Sequence, residues 1–238
     1  MRVLASLVSV IGGLATALCL SSCSSPDLKA SAPGAPGQRV CQADFRDDPK
    51  WTAGDPTCYY WDAPREQYHF KSNIPNPYAY TPVRLSPESG YRLSFDIMLT
   101  RCDWQAGINF GLWDADMITD QKNAWYVRFQ HGDDGVAATL LYWNSEGRCC
   151  PPGAVRPVRF SVNKWYHNDV RYDRATGALS LTITEIETGD EAGTQALTGV
   201  GTFQGLERLG FSNVGSLSPA AAEGFIRNVK LFEERSSK

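Results

Sequence analysis

Tyr91-Arg92-Leu93-Ser94-Phe95-Asp96-Ile97-Met98-Leu99 alternates without a break. Leu93, Phe95, Ile97 and Leu99 take one side, and Arg92, Ser94, Asp96 and Met98 the other. A two-residue repeat is the pattern of a strand with one buried face. Ala106, Ile108, Phe110 and Leu112 repeat it, opposed by Gly107, Asn109, Gly111 and Trp113. Trp125, Val127 and Phe129 face away from Tyr126, Arg128 and Gln130. After the turn residues His131 to Gly135 the stretch Val136 to Trp143 returns, which predicts a hairpin over 125–143. Val158, Phe160 and Val162 predict another strand. Tyr166 to Tyr172 and Leu179 to Ile183 flank Asp173 to Gly177 as a second hairpin, and Leu209 to Phe211 and Phe225 to Phe232 close the chain. Helical periodicity is nowhere sustained; only Pro219 to Glu223 suits a single helical turn. Short strands with turn signals between them predict an all-β chain, a two-sheet antiparallel sandwich.

Composition agrees. Among 238 residues, 21 glycines and 14 prolines against 3 methionines suit many turns better than a helical bundle. A formal net charge of −3 gives no reason to expect a nucleic-acid partner, which needs clustered basic surface.

The N-terminus reads as an address. Arg2 supplies a positive charge, and Val3 to Leu20 is almost wholly apolar and uncharged. Small residues then lead to Cys23, the layout of a secretory signal peptide over 1–22; a transmembrane anchor and a soluble secreted protein are the other readings of such a run. Leu20-Ser21-Ser22-Cys23 resembles the lipobox of bacterial lipoproteins. That resemblance implies lipidation of Cys23, with a thioether-linked diacylglycerol and an N-acyl chain such as palmitate, hence a stable membrane anchor. Ser24, where Asp is absent, implies sorting to the outer membrane of a Gram-negative cell envelope. Residues 23–40 are rich in Ser, Ala, Pro and Gly and predict a flexible tether, leaving 41–238 as the folded domain.

In an extracytoplasmic setting the five remaining cysteines, Cys41, Cys58, Cys102, Cys149 and Cys150, predict up to two disulfides and a leftover thiol. Cys41–Cys58, and Cys102 with Cys149 or Cys150, are the favoured pairings. Zinc is disfavoured, because adjacent cysteines rarely chelate one ion and His69, His131 and His167 are scattered.

Trp165-Tyr166-His167-Asn168-Asp169-Val170-Arg171-Tyr172-Asp173, followed by Gly177-Ala178-Leu179-Ser180-Leu181, resembles a hairpin of laminin-G-like and concanavalin A-like jelly rolls. Asp44-Phe45-Arg46-Asp47-Asp48 with Trp51 resembles their opening, and Gly224 to Leu231 their last strand. Asn168 stands where an apolar residue is usual, and Arg227 where Asp is common. The resemblance spans about 43–233 and implies a jelly-roll path for the sandwich. It also implies a structural calcium ion between the acidic turn and the last strand, for which Asp44, Asp47, Asp48 and Asn228 are the oxygen donors.

Relatives of that fold include glucanases with ExDxxE strands and alginate-lyase-like enzymes with Gln-x-His. Here Glu185 and Glu187 share a strand face but run into the turn at Gly189, and Gln130 stands beside His131, which puts the two on opposite faces. No Gly-x-Ser-x-Gly elbow is present in the sequence. The reading therefore leans away from an enzyme. Binding is better supported: sugar rings stack their CH faces on aromatics, and their hydroxyls seek amides, carboxylates and guanidinium groups. The polar sides of the central strands offer Asp96, Asn109, Trp113, Tyr126, Arg128 and Gln130, with Trp104 and Trp143 as further platforms. Core packing is the competing role for these aromatics. The expectation is a lipid-anchored, non-catalytic carbohydrate-binding or adhesion jelly roll. The alternatives are a polysaccharide-degrading hydrolase or lyase of the same fold, or a protein-interaction module of the envelope.

Overall fold

The computed structural model describes residues 37–72, 78–114, 123–150, 155–213 and 220–234. The expected signal peptide, Cys23 and most of the tether therefore lie outside the described residues. The strands in chain order are β1 (Gln38–Ala43), β2 (Thr52–Ala53), β3 (Tyr60–Asp62), β4 (Gln67–Lys71), β5 (Ala79–Pro82), β6 (Gly90–Cys102), β7 (Gly107–Trp113) and β8 (Ala124–Gly132). They continue with β9 (Gly135–Trp143), β10 (Val158–Arg159), β11 (Tyr166–Asp173), β12 (Ala178–Glu185), β13 (Glu191–Leu197), β14 (Arg208–Asn213) and β15 (Ala222–Glu234). A 3-10 turn at Ala63–Arg65 is the one helical element among the described residues.

All pairings are antiparallel, and two sheets form. Sheet one has the order β13-β12-β11-β6-β15-β4-β3, with β1 also on β15. Sheet two has the order β10-β9-β8-β7-β14-β5-β2. The last strand organises sheet one. One edge of β15 runs along β6, while the other meets β4 through Glu223–Ile226 and β1 through Val229–Glu233. The register shifts between Arg227 and Lys230, where Asn228 takes a φ of 54°. Such a bulge re-aims side chains within a strand.

The alternation read from the sequence sorts the faces. Leu93, Phe95, Ile97 and Leu99 of sheet one pack against Ile108, Phe110, Leu112, Val127 and Phe129 of sheet two in a single apolar core. Aromatic rings join the layers: Phe110 of β7 lies 4.7 Å from Phe95 of β6, and Phe211 of β14 lies 4.7 Å from Phe70 of β4.

Four sequence readings are corrected. The folded region begins at Gln38, because β1 already pairs there with Glu233. The strand over 158–162 stops at Arg159, and Val162 is left 39% exposed. Ala222 and Glu223 open β15 instead of ending a helical turn, since both pair with β6; Pro219 lies outside the described residues. The disulfides are not formed, and Cys41, Cys58, Cys102, Cys149 and Cys150 are free thiols. Their sulfurs are engaged separately: Cys102 Sγ donates to the Ala106 carbonyl, while Cys150 Sγ accepts from the Tyr142 amide at 3.1 Å. Burial pushes the Cys41 thiol up to about 11 and the Cys102 thiol up to about 12, which suppresses their thiolates at neutral pH.

Asn168, already conspicuous in the sequence, lies on the core face of β11 between Phe95 and Ile183. It is fully buried. Its Nδ2 donates to the Tyr166 carbonyl at 3.1 Å, but its Oδ1 has no hydrogen-bond partner. A buried unsatisfied oxygen costs about 1–3 kcal/mol. Asn168→Leu, close in volume, is expected to stabilise the fold by about 1–2 kcal/mol in urea denaturation; an unchanged or lower midpoint overturns this account.

Candidate functional site

The face of sheet two that points away from the core is built in rows. In the first, Thr139, Arg128, Asn109 and Ser212 stand opposite one another on β9, β8, β7 and β14. Arg128 Nε donates to Asn109 Oδ1 at 3.2 Å, and Asn109 Nδ2 donates to Ser212 Oγ at 3.2 Å. Asn109 is buried, so this chain of donors is fixed before any ligand arrives. In the next row Leu141, Tyr126, Gly111, Gly210 and Tyr80 follow across five strands, and the paired glycines leave a bare stretch of backbone between two aromatics. The third row holds Trp143, Ala124, Trp113 and Arg208.

The aromatics here form a second cluster apart from the main core. Trp113 and Tyr126 stack at 5.6 Å with planes 5° apart, with Tyr80, Leu141 and Trp143 around them. Both are 1% exposed. Residues on the polar side of their strands are thus packed away, contrary to the expectation that they present open stacking faces. A large ring on an outer face is covered wherever neighbouring chain can reach it. Burial pushes the Tyr126 phenol up, partly offset by the Arg128 charge and a hydrogen bond with Trp143. Arg128 lies 5.8 Å from the Tyr126 ring centre and Arg208 lies 4.5 Å over Tyr80, both within cation–π range.

What stays accessible is the rim. Arg128, Gln130, Thr139, Leu141, Trp143, Tyr80 and Arg208 are half-buried. Trp104, in the turn between β6 and β7, is 50% exposed and meets His131 edge-on at 5.7 Å. Its turn is tied down by Asp103, which accepts two hydrogen bonds from Arg101 and one from the Ala221 amide. Tyr80 and Arg208 were not singled out from the sequence; the two-residue repeat is too short in β5 and β14 to advertise them.

Asp96 does not join this site. It belongs to β6 in sheet one and faces the opposite side of the molecule, because alternation along a strand does not say which sheet the strand enters. There Asp96 is nearly buried. Its Oδ1 accepts from His167 Nδ1 at 2.7 Å, its Oδ2 accepts from Asn228 Nδ2 at 2.7 Å, and Arg227 Nε lies 3.5 Å away. Burial opposes its ionisation, but the hydrogen bonds from His167 and Asn228 and the nearby positive charges outweigh that and hold its carboxyl below the usual carboxylate range. A lowered folded-state pKa supplies stability that is complete above the unfolded value of about 3.9 and is lost as the pH falls through the folded one. Asp96→Asn is therefore expected to flatten the acid limb of a stability–pH curve; acid limbs of equal slope overturn this.

Three of the residues expected to hold calcium are engaged within the protein. Asn228 is turned to Asp96, Asp48 accepts from both Lys50 nitrogens, and Asp44 accepts from the Arg46 amide. Among the described residues no group of three His, Cys, Asp or Glu side chains gathers at metal-binding distance. Glu185 is bound by Lys164 at 2.6 Å, and Glu187 is exposed in the following turn.

No family model matches the chain, and no curated protein sequence does either. Solved structures do. The Lotus tetragonolobus seed lectin aligns at a TM-score of 0.59 with 10% identity over 85% of this chain and 100% of its own. Lectin I from Ulex europaeus, in complex with the methyl glycoside of α-L-fucose, aligns at 0.54 with 12% identity over 84% of this chain and 98% of its own. A sialidase aligns at 0.52 with 15% identity over 82% of this chain, which spans 18% of the sialidase. The fold is the concanavalin A-like jelly-roll sandwich.

Proposed function

We propose that this chain is a lipid-anchored extracytoplasmic protein whose jelly roll binds carbohydrate and does not cleave it. The observation that carries the reading is the outer face of sheet two. A prefixed Arg128–Asn109–Ser212 hydrogen-bond line runs beside aromatic rings, with Trp104 exposed at the rim. Hydroxyl-rich ligands need such fixed donors and acceptors, and a ring edge for their apolar faces. Likeness in fold to lectins, one of them holding a fucoside, supports the same reading.

The test is a glycan array probed with residues 37–238 and with the Arg128→Ala/Trp104→Ala double variant. Trp104 is 50% exposed and Arg128 is half-buried, and circular dichroism of the variant checks that it keeps the fold. Retention of at least one glycan class that the variant loses is the expected result. No retention by the folded wild type overturns the reading, and release of reducing ends from a polysaccharide turns it toward an enzyme. For the anchor, Cys23 in the full chain is expected to take up radiolabelled palmitate and to sediment with outer membranes. Cys23→Ala is expected to abolish both.

A further inference from the structure

The outer face of sheet one, on the far side of the molecule from the sheet-two site, carries a largely apolar row. Met98 stands opposite Phe225, Phe225 opposite His69, and His69 opposite Tyr60. On the other side, Trp165 immediately precedes Tyr166, which pairs with Ile97, so the same register sets Trp165 beside Met98. The Ile186 amide donates to the Trp165 carbonyl at 2.9 Å and ends the row. Six segments at about 4.8 Å spacing make a row of about 24 Å. Tyr60 stacks on His69 at 4.5 Å with planes 20° apart, and His69 meets Phe225 edge-on at 5.3 Å. The two ends, Tyr60 and Ile186, are 40% and 37% exposed.

Beside it runs a polar row, Thr184, His167, Asp96 and Arg227, one on each of four adjacent strands. Arg227 joins the two rows, with its guanidinium 4.1 Å over the Trp165 ring. Carboxylates along the face are compensated: Asp96 by Arg227, Glu223 by Lys71 at 3.4 Å, and Asp169 by Arg92 at 2.8 Å. The face therefore presents little net field to a polyanion.

We propose that this face is a second carbohydrate-binding surface, which takes a neutral polysaccharide laid across the strands. The exposed Tyr60 and the half-buried Phe225 and Trp165 meet the CH faces of sugar units, and the fixed polar row meets their hydroxyls. Charge compensation selects a neutral chain over a polyuronate. The proposal rests on the carbohydrate-binding reading but not on sheet two.

Affinity electrophoresis of residues 37–238 through gels containing mixed-linkage β-glucan, xylan, mannan or polygalacturonate tests it. The expected result is retardation by at least one neutral polymer, weakened about tenfold or more in Tyr60→Ala and in Trp165→Ala and kept in Gly132→Ala, which lies in neither site. Retardation that survives both sheet-one substitutions overturns this proposal and leaves the sheet-two site standing. Stronger retardation by polygalacturonate, no retardation by any neutral gel, or a dimer in solution that Tyr60→Ala dissolves also overturns it. The last result makes the face a contact between two copies.

Discussion

Phe110→Ala is expected to destabilise the domain by about 3–5 kcal/mol, a large share of the roughly 5–15 kcal/mol that holds a domain of this kind together. The residue sits where the two layers meet. Its ring lies 4.7 Å from Phe95 across the core and 4.7 Å from Phe211 on the neighbouring strand, and it stacks on Trp51 at 6.3 Å. Trp51 in turn lies 4.8 Å from Tyr68 of sheet one. Removing the ring forfeits its transfer free energy and leaves a void, because the surrounding rings belong to two hydrogen-bonded sheets that cannot collapse independently. Urea denaturation checks it, with Trp104→Ala as a comparison. Trp104 is half exposed, so its loss is expected to stay within about 0.5 kcal/mol. A Phe110→Ala penalty below about 1 kcal/mol means that the interlayer rings do not carry the packing assigned to them.

Most long strands of this core were legible in the sequence because they alternate: β6, β7, β8, β11 and β12 all follow the two-residue repeat in their residue types. The site was legible only in part. Alternation assigned Asp96 and Asn109 alike to polar faces, yet one lies on sheet one and the other on sheet two; sheet membership comes from long-range pairing that no local repeat encodes. Trp113 and Tyr126 were correctly placed opposite the core, but whether such a face is open depends on what lies over it. The aromatic row of sheet one went unseen for a different reason. Its members come from six segments, and the Gln67–Lys71 strand buries three consecutive residues, so it shows no alternation. The disulfide pairings failed because cysteine counting sets only an upper limit on bridges, while each thiol's partner depends on the folded path.

Gly210→Ala is expected to cost about 3 kcal/mol, although it adds a single methyl group. A β-carbon at Gly210 would lie 2.0 Å from the Ala79 carbonyl oxygen and 2.6 Å from Tyr80 Cα. These are main-chain atoms of the adjacent strand β5, which cannot swing aside as a long side chain does. Gly210 also pairs with Gly111 on its other side, and a β-carbon at Gly111 would lie 2.3 Å from the Trp125 carbonyl oxygen. The backbones of β8, β7, β14 and β5 thus approach one another across two glycines that admit no substituent, an arrangement that glycine in a strand interior commonly marks. Relief requires β5 to move off β14, which breaks the pairing of Leu209 with Thr81 and shifts Tyr80 from beneath Arg208. Thermal unfolding is expected to show the loss. Amide exchange in β5 is expected to speed up more than exchange in β6, since β5 is held in the interior of its sheet only by β14 and the two-residue β2. Gly132→Ala is the matched comparison: no atom comes within 4 Å of its added β-carbon, so stability is expected to change by less than about 0.5 kcal/mol. If the two alanine variants prove equally stable, the close approach at the centre of sheet two is not real, and the bare stretch of backbone between Tyr126 and Tyr80 loses its physical basis.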